Sequence, residues 1–178
     1  PFAHVVISEM QYHPADGGEE FIELYNPTGT AVGLFTEQGP WRITGGVDYT
    51  FPANKSIAAG GRIVIVDFDP LVETVRFNAF KAAFAGTTFT AGVNLFGPWS
   101  GDLSNVSEKV TLERAIAADL PDTTIPWIVV DEVSYYDDAP WPVGADGSGK
   151  SIQRISAAAS ISGCDPGNWQ AGDPSPTK

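Results

Sequence analysis

The sequence predicts an all-β sandwich carrying one short helix, and three observations lead there. Apolar and polar residues alternate in eight short runs, and Gly, Pro, Asn and Asp cluster between the runs. Helical segments do not alternate with the strands, as βαβ units would require. The chain has 178 residues, enough to bury a single core within one domain.

Taken in order, the opening is the most informative stretch. HVVISE (4–9) and EFIELYN (20–26) read as two antiparallel strands, separated by the turn residues ADGG (15–18) and closed by NPTGT (26–30). WRIT (41–44) and VDYTF (47–51) flank TGG (44–46), and AAGG (58–61) leads into RIVIVDF (62–68). KVTLE (109–113), WIVVDEVSY (127–135) and SIQRI (151–155) complete the strands, all rich in β-branched and aromatic residues. Period-two alternation places Val5, Ile7, Ile22, Leu24, Ile63, Ile65, Val110, Leu112, Val129 and Val133 on core faces.

One segment departs from the strand pattern. Asp69 followed by Pro70 is a helix start, an N-cap and a first-turn proline. Phe77, Phe80 and Phe84 then recur at helical spacing, and Gly86 supplies a stop. These residues predict a short helix within 70–85, lying over one end of the sandwich with its aromatic stripe in the core. The stretch 163–178 is rich in Gly, Pro and Asp and reads as a tail or linker, its first half pinned by Trp169. The expected division is thus a sandwich domain over 1–162 and a tail over 163–178.

Composition narrows the function classes. A hydrophobic content of 43% and five Trp exclude a disordered acidic tail, despite a net charge of −12. Acidic groups outnumber basic ones in each third of the chain. No basic footprint for nucleic acid or anionic lipid exists, so neither is an expected partner. Cys164 stands alone, which precludes an intrachain disulfide and a cysteine-based metal site; it reads as a small, partly buried hydrophobe. No apolar run approaches the roughly 20 residues that span a bilayer, so membrane insertion is not expected. A first residue of Pro1 reads as a processed or excised segment, one domain of a longer chain.

Chemical motifs are few. GADGSGKS (144–151) matches the phosphate-cradling pattern, but such a loop must follow a buried parallel strand and open a helix. Here two prolines in DDAPWPV precede it and the strand-like SIQRI follows, so the match is rejected. Only His4 and His13 could act as imidazole bases, the first in a strand and the second in a turn. Asp16, Glu19 and Glu20 share one turn, and Asp67 and Asp69 lie on one face of a strand end. These are the candidate metal ligands, although none has a recognised calcium-loop spacing and solvated acidic turns are the favoured reading. Among the five tryptophans, Trp99 and Trp141 lie beside proline- and glycine-rich turns and are the expected exposed aromatic contacts, a platform on which a sugar could stack. No cofactor and no catalytic residue is expected.

The ordered pieces ISEM (7–10), EFIELYN (20–26), WRI (41–43), YTFP (49–52), IAAGGRIVIV (57–66), GPWSGDLSN (97–105), SEKVTLE (107–113), VDEVSYYDDAPWP (130–142), GSGKSIQRI (147–155) and NWQAGDPSPT (168–177) resemble the lamin tail domain. The connection from Arg114 to Trp127 is longer than that family's short turn. The resemblance implies an immunoglobulin-like β-sandwich serving as a non-catalytic module. Relatives of this kind occur in large secreted or cell-surface bacterial proteins and in animal filament proteins. The expected function is therefore a structural or interaction module of a larger exported or cell-surface protein, with a protein or cell-surface partner. The alternative is a carbohydrate- or calcium-dependent binding domain.

A last expectation concerns the two ends. With Ile7 facing the core, strict alternation puts Glu9 on that face, and Arg154 accompanies Ile152 there. A charge on a core face requires a partner. Arg154 is therefore expected to form a structural ion pair with Glu9 first and Glu23 second.

Overall fold

The computed structural model describes residues 4–118 and 124–178. Its strands in chain order are β1 (Val6–Gln11), β2 (Phe21–Tyr25), β3 (Val32–Gly33), β4 (Phe35–Thr36), β5 (Gly39–Gly45), β6 (Val47–Thr50), β7 (Ser56–Ile57) and β8 (Arg62–Val66). A helix α1 (Thr74–Ala83) follows, then β9 (Leu95–Phe96), β10 (Ser100–Gly101), β11 (Ser107–Ala115), β12 (Trp127–Tyr136), β13 (Ser151–Arg154) and β14 (Trp169–Gly172). The first sheet runs β14-β13-β1-β2-β8-β9 and the second runs β10-β6-β5-β11-β12, with β4 on β5. Every pairing within the two sheets is antiparallel except β8 with β9. The expected β-sandwich is thus observed, and all eight runs read from the sequence are strands. The short strands β3, β4, β7, β9 and β10 carry too few residues to show an alternation.

Between the sheets lies the main core. Ile7, Met10, Ile22, Leu24, Ile63 and Ile65 of the first sheet pack against Trp41, Ile43, Val110, Leu112, Val133 and Tyr135 of the second. The β5–β6 turn requires a glycine. Gly45 sits at φ +117°, and a Cβ there would lie 2.0 Å from the Lys109 carbonyl oxygen.

Two bulges break the alternation, and each corrects an expectation. In β1, Ile7 opposes Leu24 while Glu9 opposes Glu23, so Ser8 is the extra residue. Beyond it Met10 points inward and Glu9 outward, the reverse of the strict period-two expectation. In β12, Asp131 opposes Leu112 while Val129 opposes Glu113, which leaves Val130 as the extra residue. Val130 packs on the core in place of Val129, which is 55% exposed. The other nine expected core residues are buried.

The helix begins later and sits elsewhere than expected. Asp69 caps a turn, accepting the Leu71 amide at 2.8 Å, and the helix proper starts at Thr74. It packs on the outer face of the first sheet rather than over an end. There Phe80, with Phe77 and Phe84 beside it, meets Phe21, Val64, Val66 and Phe68 in a second cluster. Strand β8 is therefore covered on both faces, which accounts for its unbroken run RIVIV.

The stretch 163–178, expected as a tail or linker outside the domain, is instead built into it. Its β14 forms the edge of the first sheet, with Arg154 opposite Trp169 and Ser151 opposite Gly172. Residues 173–178 then cross the outer face of that sheet as a strap, with Pro176 buried.

Candidate functional site

Three structural elements share the outer face of the first sheet: α1, the strap and the turn at 14–18. They divide the face into a polar cleft and an apolar pocket.

The polar cleft owes its chemistry to the Ser8 bulge. Turned outward, Glu9 lies beside Glu23 across β1 and β2 and beside Gln153 across β13. Both carboxylates are buried, at 3% and 2% exposure, yet neither lacks partners. Glu9 accepts the Ser175 amide at 2.8 Å and the Ser151 hydroxyl at 2.5 Å. Glu23 accepts the Thr177 amide at 2.6 Å and the Ser8 hydroxyl. Gln153 donates to the Asp173 carbonyl at 2.8 Å. Arg62, stacked on Tyr25, brings its Nε within 3.1 Å of Glu23 as an ion pair without hydrogen-bond alignment. Burial pushes the Glu23 carboxyl up to about 7, with Glu9 adding repulsion against the lowering by Ser8, Thr177 and Arg62. The remaining opening holds about 220 Å³.

The apolar pocket, of about 360 Å³, lies between α1 and the 14–18 turn, with Pro174 of the strap on its wall. Ala79, Ala83 and Phe84 line the helix side, and Gln11, 4% exposed, lines the base. The Gln11 Oε1 has no hydrogen-bond partner, an unmet acceptor in a buried position. Asp16 and Glu19 are the charged residues of its lining.

The candidate metal ligands do not converge. Glu19 and Asp67 both bond Arg76, Asp67 at 2.6 Å, so a guanidinium neutralises them. Asp69 is spent on its turn, and Asp16 is exposed. Glu20 accepts the Leu103 amide at 3.2 Å, and burial pushes it up to about 7. Among the described residues no group of three or more His, Cys, Asp or Glu is placed to hold a metal ion.

Trp99 and Trp141, expected to be exposed, are buried at 5% and 4%. The turns beside them fold each indole inward, and Trp141 lies against Trp169 with ring centroids 6.1 Å apart. His13 holds Asp146 at 2.5 Å, and His4 meets the Ala157 carbonyl at 2.7 Å. After Lys150 the chain enters β13, a strand and not the helix a phosphate loop needs. Cys164 is half-buried, its thiol 3.4 Å from the Glu132 carbonyl.

Arg154 is buried and paired, but with neither Glu9 nor Glu23. Its Nη1 lies 2.5 Å from Asp131 Oδ2, with the two side chains 3% and 10% exposed. The same Nη1 donates to the Ile7 carbonyl at 3.1 Å, and Asp131 accepts the Ile7 amide at 2.8 Å. Arg154 faces the core while the bulge turns Glu9 to the other side of the sheet, and Glu23 alternates outward with Phe21. Sequence reasoning missed Asp131 and Gln11. The alternation that places Val133 inside also places Asp131 inside, so that carboxylate could have been found.

A search of curated proteins finds no match. A family model described as Lamin Tail Domain matches residues 1–136, about three quarters of the chain. With its β-sandwich fold and that match over most of its length, the chain belongs to the lamin tail domain family, a family of non-catalytic immunoglobulin-like modules.

Proposed function

We propose that this domain is a structural or interaction module of a larger exported or cell-surface protein, engaging a protein or surface partner. The observation that carries the reading is how the fold spends its buried charge. Glu9 and Glu23 grip main-chain amides of the strap, Asp131 grips Arg154, and Glu19 grips Arg76. A hydrolytic site needs a carboxylate or imidazole aimed at open space beside a nucleophile. Here those groups are engaged in architecture. The net charge of −12 favours neither nucleic acid nor anionic membranes as partners. Among the described residues no helix is long and apolar enough to cross a membrane.

A carbohydrate- or calcium-dependent role has less support, because Trp99 and Trp141 are packed away and Arg76 holds two of the acidic candidates. Glycan-array binding and calcium titration calorimetry on the isolated domain test that rival directly, and neither is expected to give a signal.

The decisive experiment replaces the domain within its full-length protein by an unrelated sandwich of similar size. Export and the turnover of neighbouring domains should persist, while in-situ cross-linking to the surface partner should disappear. A chemical turnover that vanished with the domain and returned with the isolated domain would overturn the reading.

A further inference from the structure

We propose that the pocket between α1 and the 14–18 turn receives a basic side chain, lysine or arginine, presented by a partner protein. The proposal rests on the domain being an interaction module and names the chemistry of its contact.

Three observations converge on it. The walls from Ala79, Ala83 and Phe84 are apolar and suit the methylene stem of a long side chain. At the base, Gln11 Oε1 is a buried acceptor with no donor, and a group with N–H to give would satisfy it. Of the two charged residues of the lining, both acidic, Glu19 is already paired with Arg76, which leaves Asp16 as the unneutralised carboxylate, in a chain of net charge −12. A stem with a cationic, donor-only tip is the side-chain chemistry that meets all three demands. A neutral apolar side chain would leave Gln11 unpaired, and an acidic one would meet the Asp16 carboxylate.

The pocket is also fixed in shape. Phe80 anchors the helix to the sheet at 1% exposure, while Arg76 ties its first half to Glu19. Pro174 is held by the strap residues that Glu9 and Glu23 clamp. Little ordering is therefore left for the incoming side chain to impose.

The test is a titration of the isotope-labelled domain with N-acetyl-arginine amide and N-acetyl-lysine amide, with N-acetyl-citrulline amide as the neutral match. Saturable NMR shifts are expected at the Gln11 side-chain amide and at Ala79 and Ala83. Citrulline should bind about tenfold more weakly, the loss of a charge-assisted contact. Gln11→Met should weaken arginine binding about tenfold, with a thermal midpoint unchanged or raised, since it removes an unmet buried acceptor. Ala83→Leu, at an exposed helix position, should fill the pocket and abolish the shifts without unfolding the domain. Equal binding of arginine and citrulline, or shifts that bypass Gln11, would overturn the proposal. In the full-length protein, partner cross-linking that survives Ala83→Leu would remove the pocket as the contact while leaving the module reading intact. Cross-linking that survives replacement of the whole domain would remove the module reading itself.

Discussion

At the scale of single residues, two buried charges carry opposite consequences. Arg154 and Asp131 are desolvated together, so removing either strands the other. Arg154→Ala or Asp131→Asn should cost about 3–5 kcal/mol in denaturant unfolding, and replacing both by apolar residues should cost less than either alone. A loss within the 0–1 kcal/mol of an exposed pair would show that solvent reaches this position. Glu23 behaves differently, because its carboxyl is raised to about 7 by burial. The folded state then binds a proton that the unfolded chain, near 4.5, has released. Stability contributed by this group is therefore highest below pH 4.5 and falls as pH rises through 7. Relative to a Glu23→Gln variant, the wild type should gain about 3 kcal/mol between pH 8 and pH 4.5, given about 1.4 kcal/mol per pK unit. Urea unfolding of both proteins at the two pH values reads this difference, and parallel profiles would contradict it.

At the scale of elements, the bulge at Ser8 decides what each side of β1 does. Upstream of it Val5 and Ile7 face the core, and downstream Met10 and Tyr12 do. Deleting Ser8 would remove the extra residue and leave Ile7, Met10 and Tyr12 inward and Glu9 outward, opposite the same partners on β2. The deletion variant should therefore keep a dispersed amide NMR spectrum, and both it and Ser8→Ala should lose some stability from the missing bond to Glu23; a collapsed spectrum for the deletion would show that the bulge itself is required. The same bulge explains how far the sequence could be read. Existence and order of eight strands were legible, because alternation and turn residues are local signals; β14 was the one of four or more residues that was not. A bulge is a pairing property that involves a second strand, so Val129, Glu9 and the partner of Arg154 were misplaced by a single residue of register. Trp99 and Trp141 were misread because a turn's neighbours do not say which way it folds its side chains. The pocket at Gln11 was invisible for the same reason, since its walls come from β1, α1, the 14–18 turn and the strap. The strap was missed because Gly, Pro and Asp signal irregular backbone equally well whether it is free or clamped.

At the scale of the whole molecule, the first sheet is where the chain's opening and closing segments meet. Truncation after Gly172 would uncover Glu9 and Glu23 and return both to water. The truncated domain should keep its sandwich by circular dichroism but lose the pH dependence that Glu23 confers between 4.5 and 7, and an unchanged profile would mean that the strap does not shield it. The order β14-β13-β1 has one more consequence. Both neighbours of β13 are antiparallel to it, so β1 and β14 run in the same direction. A pull that draws the start of β1 and the end of β14 apart acts along the strands, across hydrogen bonds that lie perpendicular to them. Those bonds are then loaded in shear, all at once, instead of being peeled one at a time. The Ile7–Asp131–Arg154 contact adds a cross-tie to the second sheet at the very strand that takes the load. Single-molecule stretching between the two ends should therefore meet one high-force rupture, lowered by Arg154→Ala, and a module built this way can bear tension as well as bind.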